Sequence, residues 1–161
     1  FEKLELESCP IEKLPSLQVG QLRLVELPRL LELPEITPTA TKIDLIELAG
    51  LKKAPNNLQA TENISLLRTR IWDESGRLTT KLSAGNMVAF YDLEALVEIN
   101  GQVSCKTLKL DNCGTQLIDN ISVDTLIAKQ SPSIKLGPNA TIRSFRPELP
   151  KAIPFYKTGS Y

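Results

Sequence analysis

Histidine is absent from the 161 residues. Its absence removes Ser-His-Asp and Cys-His nucleophilic systems, and with them the commonest metal ligand. Cysteine is scarce: Cys9, Cys105 and Cys113 are odd in number and lack C-x-x-C spacing, so neither a zinc site nor a disulfide framework is indicated. Neither sign of charge is in excess, with 19 basic and 19 acidic residues. Nothing is therefore built to attract phosphate, and no nucleic-acid partner is expected. No apolar run approaches the ~18–20 residues that span a bilayer, so membrane insertion is not expected. Glycine-rich phosphate loops are missing. The adjacent acids Asp73 and Glu74 read as a solvated turn pair, because no second acid is placed opposite them as glycoside hydrolysis requires. A secretory leader pattern and an initial Met are also missing, which reads as a mature or excised piece of something longer. These absences leave no catalytic residue, no cofactor and no metal site to expect.

What the chain has is leucine, 26 residues of it, and a period. Residues 22–34, LRLVELPRLLELP, superimpose on residues 43–55, IDLIELAGLKKAP, at an offset of twenty-one. A fixed period with apolar residues at fixed phases marks a solenoid. The frame extends along the chain. Repeat positions 4 and 6 are Leu4 and Leu6, Leu22 and Leu24, Ile43 and Leu45, Ile64 and Leu66, Val88 and Phe90, Leu108 and Leu110, then Leu126 and Ala128. A degenerate eighth copy is read with Asn139 at position 1, Ile142 at position 4, Ser144 at position 6 and Pro147 at position 9. Residues two apart point to one face of a strand, so each copy predicts a short strand with both apolar side chains inward. One copy cannot bury its face alone; its neighbours do so.

The segment F-EK-L-E-L-ES-C-P-I, repeated as C-KT-L-K-L-DN-C, resembles the leucine-rich repeat segment LxxLxLxx(N/C)xL. In that family the position-9 side chain bonds the backbone where the strand turns inward, a role that Cys9, Thr69, Cys113 and Ser131 match. Leu27, Leu48 and Leu93 depart from it. The proline-bearing connections, such as IEKLPSL and PRLLELPEI, are similar to the short LPX-type repeats of bacterial secreted effectors. The resemblance implies a leucine-rich-repeat solenoid with a parallel β-sheet on its concave side, short extended or 3-10 convex segments and little α-helix. Residues 1–147 would form about eight repeats, and 148–161 a C-terminal cap or linker. It further implies a soluble module, secreted from a bacterium into a host cell or the extracellular space, that recognises another protein. In some such effectors a separate C-terminal ubiquitin-ligase domain does the chemistry; its catalytic cysteine segment is not in this chain.

The outward-facing columns sharpen that expectation. Position 5 (Glu5, Arg23, Asp44, Ser65, Ala89, Lys109, Ile127, Arg143) is mostly polar, as is position 8. Position 7 carries Glu7, then Val25, Ile46, Leu67 and Tyr91 in succession, before Asp111, Lys129 and Phe145. Four strands at ~4.8 Å spacing make this a stripe of roughly 15 Å. Rimmed by Glu26, Glu47, Arg68 and Asp92, it looks like a protein-binding surface. The competing account is a β-ladder that packs along the sheet with no partner. All three cysteines fall at positions 1 and 9, where small buried residues belong. The sequons at Asn63, Asn120 and Asn139 read as chance matches, and Trp72, in the long fourth connection, as a cover for the core edge. The rival architecture is a right-handed parallel β-helix serving as a structural or glycan-binding module of a surface or phage protein. It would need strands on two or three faces of every coil, where Pro15, Pro34 and Pro55 interrupt.

Overall fold

Leucine or a β-branched residue at positions 4 and 6, with polar residues between, is the alternation of a half-buried strand, and each copy of the repeat makes one. The computed structural model describes residues 2–36, 40–131 and 134–148. In chain order its strands are β1 (Lys3–Glu7), β2 (Gln21–Val25), β3 (Lys42–Ile46), β4 (Asn57–Ala60), β5 (Asn63–Leu67), β6 (Lys81–Ala84) and β7 (Met87–Tyr91). There follow β8 (Glu98–Asn100), β9 (Val103–Ser104), β10 (Thr107–Asp111), β11 (Leu117–Asp119), β12 (Ser122–Lys129), β13 (Lys135–Leu136) and β14 (Thr141–Glu148). No α-helix or 3-10 helix occurs among the described residues, so of the extended or 3-10 connections expected from the sequence the extended form, with turns, is the one found.

The strands stack into a parallel β-solenoid of about seven turns. Its main sheet runs β1-β2-β3-β5-β7-β10-β12-β14. The register is the one the repeat predicts through the seventh copy: Leu22 pairs with Leu4 and Ile43, Ile64 with Val88, and Leu108 with Leu126. From Leu22 and Leu24 through Leu126 and Ala128, positions 4 and 6 are buried in one continuous core. Leu4 and Leu6, on the edge strand β1, are only half-buried.

The eighth copy departs from the expected frame. Leu126 pairs with Phe145 and Ala128 with Pro147, while Ile142 pairs with Val123 of position 1. Phe145 and Pro147 therefore hold positions 4 and 6, and Arg146 and Glu148 hold positions 5 and 7. Phe145 is not an outward-facing member of the position-7 row. It is a core-phase residue left 39% exposed at the end of the stack. The Gln130 N–H donates to the Glu148 carbonyl at 2.9 Å. Neighbouring residues of a strand aim their backbone groups to opposite sides, so Pro147 faces away from β12, at the open edge. The expected cap or linker, 148–161, lies outside the described residues apart from Glu148.

Two further sheets, β4-β6-β9 and β8-β11-β13, cover the other sides of the later coils. The third sheet begins at the long fourth connection. There Arg77 bridges to Glu98 in parallel, and the Gly76 carbonyl accepts from the Val97 and Glu98 amides. Arg77 Nε also lies 2.6 Å from Glu98 Oε2, which compensates a carboxylate oxygen that no hydrogen-bond donor reaches. Trp72 packs half-buried against the core, as the sequence suggests, and its main chain bridges Leu78. Before residue 57 the second side holds, among the described residues, only an isolated β-bridge, Leu17 to Ile36.

Candidate functional site

The first seven strands of the main sheet, β1 to β12, each run into a left-handed residue at position 8. Ser8, Glu26, Glu47, Arg68, Asp92, Asn112 and Gln130 all have φ between 45° and 55°. Such a backbone costs a non-glycine residue about 1–2 kcal/mol. It turns the position-8 N–H toward the next coil, where it donates to the position-7 carbonyl: Glu26 to Ile46 at 2.9 Å, Glu47 to Leu67 at 2.8 Å, Asp92 to Asp111 at 2.9 Å. One backbone hydrogen bond per coil, worth about 0.5–1.5 kcal/mol, offsets much of that cost. The turn also lines the position-8 side chains up beside the position-7 row. Arg68 reaches Glu47 at 2.5 Å on one side and Asp92 at 3.1 Å on the other, and Asn112 Nδ2 donates to Asp92 at 3.0 Å.

Past position 8 the chain turns the corner in one of two ways. Where position 9 is Thr69, Cys113 or Ser131, the side chain donates to the position-7 carbonyl of its own strand: Leu67 at 3.0 Å, Asp111 at 3.6 Å and Lys129 at 3.2 Å. These are the backbone bonds expected for that position. Where it is Leu27, Leu48 or Leu93, a hydrogen-bonded turn follows. The amides of Leu30, Leu51 and Leu96 donate to those leucines' carbonyls at 3.2–3.3 Å, and both leucines of each pair are buried. The three departures from the repeat motif are thus Leu-x-x-Leu corners. These corners stack so closely that a Cβ on Gly50 would collide with the Pro28 carbonyl oxygen.

The eight candidate binding residues do form two adjacent rows. Val25, Ile46, Leu67 and Tyr91 pair in direct succession across β2, β3, β5 and β7. Glu26, Glu47, Arg68 and Asp92 follow beside them. The apolar row is more sheltered than expected: Val25 is buried at 6% exposure and the other three are half-buried. Ladder neighbours cover one another's flanks, and Val25 sits between Glu7 and Ile46. At the far end of the row, Lys109 Nζ stands 5.3 Å from the Tyr91 ring centroid, a cation–π contact. Next to these rows on the same face, Arg23 lies between Glu5 (3.5 Å) and Asp44 (3.9 Å). Desolvation raises the Asp44 pKa, with Arg23 opposing.

A trough runs outside the position-8 column, unsignalled by the sequence. Its first part is a cavity of about 470 Å³ lined by Ser8, Cys9, Pro10, Glu26, Pro28, Glu47 and Ala49. A second cavity, about 350 Å³, lies among Arg68, Trp72, Asp92, Glu94, Ala95 and Asn112. The Arg68 side chain, bound to acids on both sides, stands between them.

Cys105 and Cys113 sit where a thiolate is disfavoured. Burial pushes the Cys105 and Cys113 thiols up to about 11. Cys113 is buried as expected, whereas Cys9, in the uncovered first coil, and Cys105, at a corner, are half-buried. Asp73 serves the turn at 73–77: its carboxylate accepts from the Ser75 hydroxyl and from the Ser75 and Arg77 amides, and the hydroxyl bond leads in lowering its pKa. The sequon residue Asn120 donates to Asn100 at 2.5 Å. Among the described residues no group of three acid or cysteine side chains is placed to hold a metal ion, and no helix is long and apolar enough to cross a membrane. No protein-family model, curated protein or solved structure matches the chain.

Proposed function

We propose that this solenoid is a protein-recognition module, binding a partner through the outer face of its main sheet and acting by recognition rather than catalysis. The observation that carries the reading is the in-register apolar row of Val25, Ile46, Leu67 and Tyr91, bordered along its length by charged position-8 side chains and an open trough. An apolar strip with a polar rim on a rigid scaffold is what a protein interface offers. The backbone bonds of Thr69, Cys113 and Ser131, and the proline-bearing early connections, support a leucine-rich repeat of the LPX type. On that resemblance the chain is part of a larger bacterial secreted effector. Balanced charge argues for a protein partner over nucleic acid.

A second reading, a parallel β-helix module of a surface or phage protein that binds glycan or serves as structure, is favoured by the extra sheets β4-β6-β9 and β8-β11-β13. The two separate on one experiment. The immobilised chain is used to capture proteins from a host-cell lysate, with capture identified by mass spectrometry, beside a glycan array. Leu67→Glu and Tyr91→Glu, each with the β-sheet spectrum retained, should abolish capture of the same protein. Glycan binding unaffected by either variant, with no protein captured, would sink the first reading in favour of the second.

A further inference from the structure

The first cavity of the trough has the chemistry of a receptor for a basic side chain. Its walls are apolar: Pro10, Pro28 and Ala49 are exposed to the opening, and the two prolines present no backbone N–H. Its charge is all of one sign, from Glu26 and Glu47. Other acids of the same face are met by cations: Glu5 and Asp44 by Arg23, Glu47 and Asp92 by Arg68. Among the described residues Glu26, like Glu7 and Asp111 of the neighbouring row, is not. Its carboxylate receives the Ser8 hydroxyl at 3.4 Å, and among the described residues no Lys or Arg forms an ion pair with it. Its left-handed backbone (φ 49°) and the Ile46 carbonyl that holds its N–H fix where the side chain leaves the strand. Glu26 is thus an exposed, uncompensated carboxylate at the mouth of an apolar cleft.

We propose that this cleft binds an arginine side chain carried on an extended peptide of the partner. The guanidinium meets the Glu26 carboxylate through paired N–H donors, and the alkyl stem lies against Pro28 and Ala49. Arginine suits the site better than lysine because both Glu26 oxygens keep lone pairs for a planar, two-pronged donor. Among the described residues Oε1 has no partner, and Oε2 holds only the long 3.4 Å contact from the Ser8 hydroxyl. The cleft spans three coils, from Ser8 through Glu26 to Glu47, so the peptide lies along the stack, across the strand ends, and its flanking residues reach the Val25–Ile46 part of the apolar row. This inference rests on the recognition reading and names the chemistry the partner must supply.

The test uses fluorescein-labelled hexapeptide pools, randomised except for a fourth position fixed as Arg, Lys, Leu or Glu, with binding followed by fluorescence anisotropy. The Arg pool should bind tightest, the Lys pool more weakly and the Glu pool least, with binding weakening as salt rises. Glu26→Gln, which keeps shape and backbone, should weaken the Arg pool tenfold or more. Ala49→Leu, which fills the cleft and leaves both carboxylates in place, should do the same. Equal binding of the Arg and Glu pools, or full retention of Arg-pool binding in both variants, overturns the proposal. That failure is separable from failure of the recognition reading. If Leu67→Glu and Tyr91→Glu lose the captured protein while Glu26→Gln and Ala49→Leu keep it, the sheet face binds and the cleft does not. If the Arg pool responds to both cleft variants while the sheet-face variants keep their partner, the cleft assignment stands and the sheet-face assignment falls.

Discussion

The first three coils and the later ones share a main sheet but close their other sides differently. Up to residue 56 the return path runs through IEKLPSL, LLELPEI and LKKAPN, and among the described residues its only β-bridge is Leu17–Ile36. From Asn57 onward the return path is itself β-structure: Leu58 pairs with Leu82 and Leu82 with Val103, and Glu98 pairs with Leu117 and Leu117 with Lys135. Proline accounts for the contrast. Pro15 and Pro34 stand two residues before the bridged Leu17 and Ile36 and offer no N–H with which that pairing could extend, whereas NLQA and KLSA supply donors and alternate polar with buried residues. One repeat frame therefore tolerates a single-sheeted or a three-sheeted coil, and connection chemistry decides between them. The single-sheeted end also carries the apolar cleft, whose walls include two other prolines, Pro10 and Pro28, at the corners that follow β1 and β2.

The largest effect that breaks this contrast is a proline moved into the later coils. Ser83→Pro in β6, beside its partner Gln59, should cost about 1–3 kcal/mol by leaving a ladder hydrogen bond unmade, read from urea unfolding. Ser16→Pro, at the matching side of an early coil next to Pro15, should change stability by less than about 0.5 kcal/mol. A somewhat smaller difference should appear in native-state hydrogen exchange. The Leu82 amide, bonded to Gln102 inside a three-stranded sheet, should exchange at least about tenfold more slowly than the Leu17 amide, bonded to Glu35 at an isolated bridge. Equal protection would mean that the two regions open as one unit. The smallest effect concerns charge at the early end. Because the folded-state pKa of Asp44 is raised, its contribution favours folding when protonated and is lost as pH rises through that pKa. Asp44→Asn should therefore raise the melting temperature slightly at about pH 7 and leave it unchanged at about pH 3.

Much of this was readable beforehand, wherever a side chain must be either inside or outside. The rungs from Leu4 to Leu126 and the row from Val25 to Tyr91 follow from a period of two and a period near twenty, and the structure pairs them accordingly. The donors at position 9 were legible only through the resemblance to the leucine-rich repeat, which assigns that position a backbone bond; Thr69, Cys113 and Ser131 make it, and Cys9 does not. The eighth coil was not legible, because Ile142 and Phe145 offer two apolar frames three residues apart. Stacking on Leu126 selects Phe145. The left-handed column was hidden because Glu26, Glu47 and Arg68 give none of the glycine or asparagine signals that mark such turns. Strands of two to four residues, as in β9 and β4, are too short to show an alternation. The cleft arises from corner geometry between coils, and no one-dimensional pattern encodes it.

Pro147 makes the two ends of the stack unequal. At β1 the backbone groups of Lys3, Glu5 and Glu7 face outward, and an incoming chain could pair with them. At β14 the proline nitrogen occupies the corresponding outward position and can donate nothing. Indefinite head-to-tail growth needs both ends to be competent, as in any filament seeded by a β-edge. A single imino acid on the outward side of β14, the last described strand, thus withholds a donor that any further parallel strand would use, beside a Phe145 left 39% exposed.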